Sequence, residues 1–280
     1  MTIVGAFILP HGSMILDPEK EDIPKEAISL HHEMTKIAQE IDELNPDIIF
    51  LTTPHSIALS NDYALYLNQG GWGTAEWQGE YKDFVVQILF DQNLTNELLA
   101  NLYEKQRAIS GLACFTAGIQ APLRWGEAVP LWFLRNLSSE PKYVLLSQPL
   151  RRLDQPKELI AQTLTLGEDL QAFFEEQEQR IVVIISADLS HTHQQEGPYG
   201  YNDEAEPSDQ LFEQWANTLD ESILTKTMVP KLDHCLCCGF IGFLLLQGMI
   251  GAKGFSSEVV MRATPSYYGM MIAKYLRENR

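Results

Sequence analysis

Five short apolar runs, each bounded by polar or turn residues, set the plan of the chain. Thr2 to Leu9, Asp47 to Thr53, Val129 to Leu134, Tyr143 to Gln148 and Ile181 to Ile185 are brief and mostly aliphatic. Runs of that length and composition read as strands buried on both faces. Tyr63 to Asn68 and Phe84 to Phe90 read as further strands around a Gly/Trp-rich loop, Gly70 to Gly79, which is a candidate lid. Between the runs the spacing turns helical. Lys25 to Leu44 places Ala27, Ile28, Leu30, Met34, Ile37, Ala38, Ile41 and Leu44 on one face, and Asn45-Pro46 stops it. Asn93 to Gln106, Gln155 to Glu176 and Asp209 to Leu224 read as helices too. Leu236 to Ile250 is an apolar helix with small residues on one side, expected to be buried. Tyr267 to Leu276 is strand or helix, because so short an apolar run does not decide. Strands alternating with helices predict α/β architecture: one domain over residues 1–280, with a central, mostly parallel sheet flanked by helices.

Chemistry gathers where the apolar runs end. After Ile185 the chain delivers Asp188, Ser190, His191 and His193 within a few residues. The first run ends at Pro10-His11 and the second at Pro54-His55. In a parallel βαβ unit both histidines stand on one rim of the sheet, the carboxyl end where α/β sheets bind ligands. Imidazole is a common metal ligand, and two histidines with one anionic donor make an open mononuclear site. Taken singly, each of these histidines reads as structural. Asp188 and Ser190 also have a plain reading, as caps of a turn. His31 and His32, inside the first helix, read as packing or surface residues. The cluster Asp233-His234-Cys235-Leu236-Cys237-Cys238-Gly239 contains one C-x-x-C but no second pair for a structural zinc site. One of its thiolates is a chemically reasonable third metal ligand. The alternative is that these are small buried residues at a helix start.

Charge narrows the partners. The chain has a net charge of −18 over 280 residues, which argues against nucleic acid and anionic membrane surfaces. The longest apolar stretch is too short to span a bilayer. The first residues lack a positive n-region and meet Pro10-His11 at once, so no secretory signal is expected. Four cysteines, three of them bunched, make no disulfide framework, and a reducing cytoplasm is the expected compartment. G-x-S-x-G, P-loop and G-x-G-x-x-G motifs are absent.

The residues Phe7-Ile8-Leu9-Pro10-His11-Gly12, Thr53-Pro54-His55, Val129-Pro130-Leu131, Ser186-Ala187-Asp188-Leu189-Ser190-His191 and Gly197-Pro198-Tyr199-Gly200-Tyr201 together carry a family resemblance. The chain resembles the class III extradiol ring-cleavage dioxygenase superfamily, nearest the branch that includes Memo-like proteins. The resemblance covers most of the chain and is most specific in D-L-S-H followed by P-Y-G-Y. It implies metal ligation by His11 and His55 and an acid/base role for His191; independently of the resemblance, Asp188 is a candidate to orient His191, as a carboxylate beside an imidazole does. The dioxygenases' third ligand, a glutamate before a C-G pair, falls at Cys237, whereas the Memo-type cysteine falls at Cys238; Asp233 could replace the carboxylate only if its loop folds back. Where many relatives carry D-H-G, this chain has Arg124-Trp125-Gly126. The implied function is non-haem Fe(II)-dependent extradiol cleavage of a small catecholic substrate. The alternatives are a Memo-like metal-binding protein holding Cu or Zn without ring cleavage, and a hydrolase using metal-bound water. Tyr199, Tyr201, Trp125 and Trp72 are candidates for lining an aromatic pocket. The superfamily's habit of pairing makes a homodimer a further expectation.

Overall fold

The computed structural model describes residues 2–251 and 254–278. Along the chain come β1 (Ile3–Leu9), α1 (Lys25–Glu43), β2 (Ile48–Thr53), β3 (Tyr63–Tyr66), β4 (Gly70–Thr74), β5 (Val85–Leu89), α2 (Gln92–Glu104), β6 (Ile109–Leu112), β7 (Ala121–Leu123) and α3 (Trp125–Phe133). Then follow β8 (Lys142–Ser147), α4 (Ile160–Glu175), β9 (Ile181–Ser186), α5 (Ala205–Thr218), a single turn α6 (Leu232–Cys235), α7 (Phe240–Ile250), β10 (Phe255–Ala263) and β11 (Met270–Arg277). Eight strands form the main sheet in the order β10-β11-β1-β9-β2-β8-β3-β6, and a smaller sheet runs β5-β4-β7.

The middle of the main sheet, β1-β9-β2-β8, is parallel; β11 and β3 join its two sides antiparallel. This single α/β domain is thus mixed at its edges and parallel where the site lies. Every residue of β9 is buried because helices or the small sheet cover both faces. Ile181, Val183 and Ile185 pack into the core under α4 and α7, while Val182 and Ile184 pack into the core under α1 and α3. That two-sided burial is why the run carries no polar alternation. Helices α4 and α7 cross at Gly167 and Gly248, where a Cβ on either would run into the other helix's backbone.

Several segments depart from the sequence expectations. Val129 to Leu134 lies mostly in helix α3 instead of forming a strand. The helix is buried almost all round, so its apolar run has no readable period. Its first turn is closed by Glu127, whose carboxylate accepts the Arg124 N–H at 2.9 Å. Gly70 to Gly79 is only partly a loop: its first half is strand β4, paired with β5 and β7. The helix expected over Asp209 to Leu224 stops at Thr218, where Leu219 turns left-handed at φ 52°. Likewise Leu236 sits at φ 49° and ends α6, so the helix expected from Leu236 begins only at Phe240. Tyr267 to Leu276 resolves as strand, since β11 needs a partner and finds it in β1. Strands β6, β7 and β10 were not legible: the first two are three or four residues long and the third is half-exposed along most of its length.

Candidate metal centre at the carboxyl ends of three parallel strands

β9 stands between β1 and β2, so the loops leaving all three strands converge. Leu9 is level with Ser186 in the β1–β9 register. His11 follows β1, Asp188 and His191 follow β9, and His55 follows β2. The rings of His11 and His55 meet edge to face with centroids 4.8 Å apart. The turn after α6 adds Cys238, and the donor atoms of His11, His55 and Cys238 all lie within 4.8 Å of one another. Among the described residues this is the one such group of His, Cys, Asp and Glu.

A short relay fixes the His11 tautomer. Pro130, inside α3, has no N–H, so the carbonyl four residues earlier, that of Gly126, lacks its helical partner. The Ser186 hydroxyl donates to that carbonyl. Ser186 Oγ is therefore left to accept from His11 Nδ1 at 3.0 Å, which makes Nε2 the lone-pair nitrogen. Nε2 lies 3.5 Å from Cys238 Sγ and 3.4 Å from Asp188 Oδ2. Burial, then the neighbouring histidines, hold His11 well below the usual imidazole value, and burial and the Arg152 charge bring His55 down to about 3. Both rings are neutral at pH 7, the form in which imidazole can bind a metal. The Cys238 thiol is pushed up by burial, so a metal taking this sulfur must displace its proton, and affinity rises with pH.

Asp188 serves the other histidine from the one expected. Its carboxylate accepts the His11 backbone N–H at 3.1 Å and faces the His11 ring; the His191 ring is instead held by Nδ1–H donation to Leu189 O at 2.9 Å. The reason is reach: β1 runs directly beside β9, so the β1 loop lies against Asp188. Burial raises the Asp188 carboxyl to about 7. His191 keeps Nε2 as acceptor, is lowered by burial, and stacks on Tyr268 with ring centroids 5.5 Å apart. His193 pairs with Asp209 at 2.8 Å, and the same carboxylate accepts the Ser190 N–H at 2.9 Å. Asp209, which the sequence offers only as the start of a helix, is the clamp on the loop that carries His191.

Cys237 is not in the donor group. Its thiol donates to Asp188 O at 3.5 Å, and the residue packs against the core. The Cys238 thiol lies 3.5 Å from the same carbonyl, but of the two only Cys238 also comes within 3.5 Å of His11 Nε2. Asp233 is also outside the group: it is exposed and pairs with Lys157 at 2.9 Å.

Two cavities meet at His55, His191 and Tyr199. The smaller, about 80 Å³, also touches His11 and Asp188 and is walled by Trp77, Trp125, Tyr267 and Tyr268. Trp125 lies 5.2 Å from the His55 ring and 4.6 Å from Trp77, centroid to centroid; Trp77, from the expected lid loop, thus does cover the site. Trp72 and Tyr201 do not line either cavity; both are exposed. Tyr267 and Tyr268 were missed because they precede β11 with no motif around them. The larger cavity, about 200 Å³, includes Cys238, Arg152 and an apolar wall from α6 and α7.

Behind His55, Glu127 is buried and raised to about 8 by burial. A carboxyl raised from about 4.5 stabilises the fold fully below pH 4.5, and that contribution is lost as pH climbs through 8. The difference amounts to about 5 kcal/mol. Glu127→Gln keeps the shape and removes the titration. Melting temperatures recorded from pH 5 to 9 should therefore fall less steeply in this variant than in the wild type. An unchanged slope would mean that Glu127 is ionised in the folded protein.

Residues 5–271 match the model of the protein family described as the catalytic LigB subunit of aromatic ring-opening dioxygenase. Protein CA_C1420 of Clostridium acetobutylicum is 24% identical over 270 residues, an alignment covering 93% of this chain and 54% of that protein. The chain thus spans about half the length of this curated relative. The crystal structure of the uncharacterized protein JW3007 from Escherichia coli K12 superposes with a TM-score of 0.61 at 15% identity, covering 97% of this chain and 99% of that one. No helix among the described residues is long and apolar enough to cross a membrane.

Proposed function

Because the chain belongs to the family of catalytic LigB subunits of aromatic ring-opening dioxygenases, we propose that it binds one divalent metal ion on His11, His55 and Cys238 and opens a small catecholic ring beside it. The supporting observation is the convergence of two neutral imidazoles and one thiol within 4.8 Å on the rim where α/β sheets bind ligands. A bound Fe(II) ion would supply a Lewis-acidic meeting point for the diol oxygens and O2. The rest falls to the chain. Trp125, Tyr267 and Tyr268 flank the ring and exclude water. His191 Nε2 takes a phenolic proton, and its depressed basicity lets it release that proton again near neutral pH. Asp188, at about 7, is a second group able to hold or return a proton next to His11.

Cys238 favours a second reading. A thiolate is softer than the carboxylate of a facial triad, prefers Cu(I) or Zn, and oxidises readily beside O2. On that reading the protein is Memo-like: it binds metal and cleaves no ring. One series of measurements separates the two. The protein is loaded without oxygen with Fe(II), Cu(I) or Zn(II), desalted and assayed for metal, then given 4-methylcatechol in an oxygen electrode. Iron at about one ion per chain, with oxygen uptake and a yellow ring-opened product, supports the dioxygenase. Copper or zinc retained at that level, with no uptake by the iron form, supports the second reading. Retention of no metal at all overturns both.

A further inference from the structure

The larger cavity has a charge imbalance. Arg152, reached just after β8, lines it together with His55 and Cys238. The guanidinium donates to Pro54 O and, at 3.0 Å, to Pro149 O. Among the described residues no carboxylate comes within ion-pair distance of it. Two of its five N–H groups are thus spent on neutral carbonyls, and the cation has no counter-charge. Burial already lowers its basicity, as expected for a desolvated, unpaired cation. Asp233, the one carboxylate on the cavity wall, is turned to Lys157. The remainder is apolar, with Leu232, Leu236, Phe240 and Ile241 from α6 and α7. An apolar chamber with a single unpaired guanidinium matches a small organic acid: an apolar body with one terminal carboxylate, which arginine's planar fork grips at two oxygens.

We propose that this cavity is a carboxylate-reading subsite, in which Arg152 selects ligands that carry an acid group on an apolar arm while their other end reaches His55 and His191. The inference rests on the metal-centre reading only for the position of that other end. Nothing in the proposed ring opening calls for a guanidinium outside the donor group, so Arg152 is a specificity residue for this chain.

The test uses dihydrocaffeic acid and its uncharged primary amide, which differ only in the acid group. Dissociation constants are measured by calorimetry without oxygen, on metal-free and zinc-loaded protein, for wild type, Arg152→Gln and Arg152→Lys, with melting temperatures alongside. Wild type should prefer the acid by about tenfold or more, the value of one desolvated charge-assisted pair. Arg152→Gln should bind acid and amide alike, and Arg152→Lys should keep part of the preference. Equal binding of acid and amide by wild type overturns the subsite, and so does a preference that survives in Arg152→Gln. The acid preference with no oxygen uptake in the iron form leaves the subsite standing and removes the ring-opening reading. Oxygen uptake that is equally efficient with acid and amide does the reverse.

Discussion

His55→Ala is expected to lower the metal retained after desalting from about one ion per chain to a trace, a loss of at least about a hundredfold in affinity. The expectation follows from the donor count. His11, His55 and Cys238 are the three ligand atoms within reach of one another, and Asp188 already answers the His11 backbone and ring. Removing one donor of three leaves a pair, and among the described residues His11 and Cys238 belong to no other such group. The fold should survive, because His55 stands at the end of β2, half-buried, with its ring against Trp125 instead of inside either core. Its pKa adds a sign that can be checked. A histidine depressed from about 6.5 to about 3 stabilises the fold above pH 6.5, and that contribution is lost as pH falls toward 3. The alanine variant should therefore resist mild acid at least as well as wild type while holding no metal. Metal retained by the His11→Ala/His55→Ala double variant would show that the donors are elsewhere.

His191→Ala should leave the metal in place and cut ring-opening turnover by about a hundredfold to ten-thousandfold, the usual worth of a positioned acid/base. The ring is outside the donor group, is fixed through Nδ1 to Leu189 O at 2.9 Å, and lines both cavities. A base must be unprotonated to act. Because burial lowers its pKa below the usual 6.5, kcat/KM of the wild type should hold level through neutral pH and drop only on the acid side of 6.5. That acid limb should vanish in the variant. Loss of metal from His191→Ala would make this residue a ligand, and an unchanged pH profile would move the proton transfer to Asp188.

The strand ends were the legible part of the site. Ile181 to Ser186 and the two Pro-His pairs announce themselves because a fully buried strand must be apolar and its exit must turn polar at the rim. Helix α1 was legible for the same local reason, since its buried residues Ala27, Leu30, Met34, Ile37 and Ile41 recur at helical spacing. Helix α3 was not. Buried nearly all round, it offers no amphipathic period, and its internal Pro130 argues against a helix when read alone. That same proline leaves Gly126 O free for Ser186 and so fixes His11, an effect that acts across elements far apart in sequence. Arg152 was invisible because an arginine after a strand is ordinarily a solvated residue, and only the packing of β8 beside β2 brings it to the cavity.

By itself the sequence determined which side chains stand at the carboxyl ends of the strands, since hydrophobic period and turn chemistry are local properties of the chain. The tertiary structure alone decided which of them meet. Inserting β9 between β1 and β2 turned Asp188 to His11 and left His191 to Leu189. The left-handed residue Leu236 and the turn after it put Cys238, and not Cys237, against His11 Nε2. Strand order and the direction of a buried turn are fixed by contacts between segments as many as 274 residues apart, and no window of sequence contains both partners.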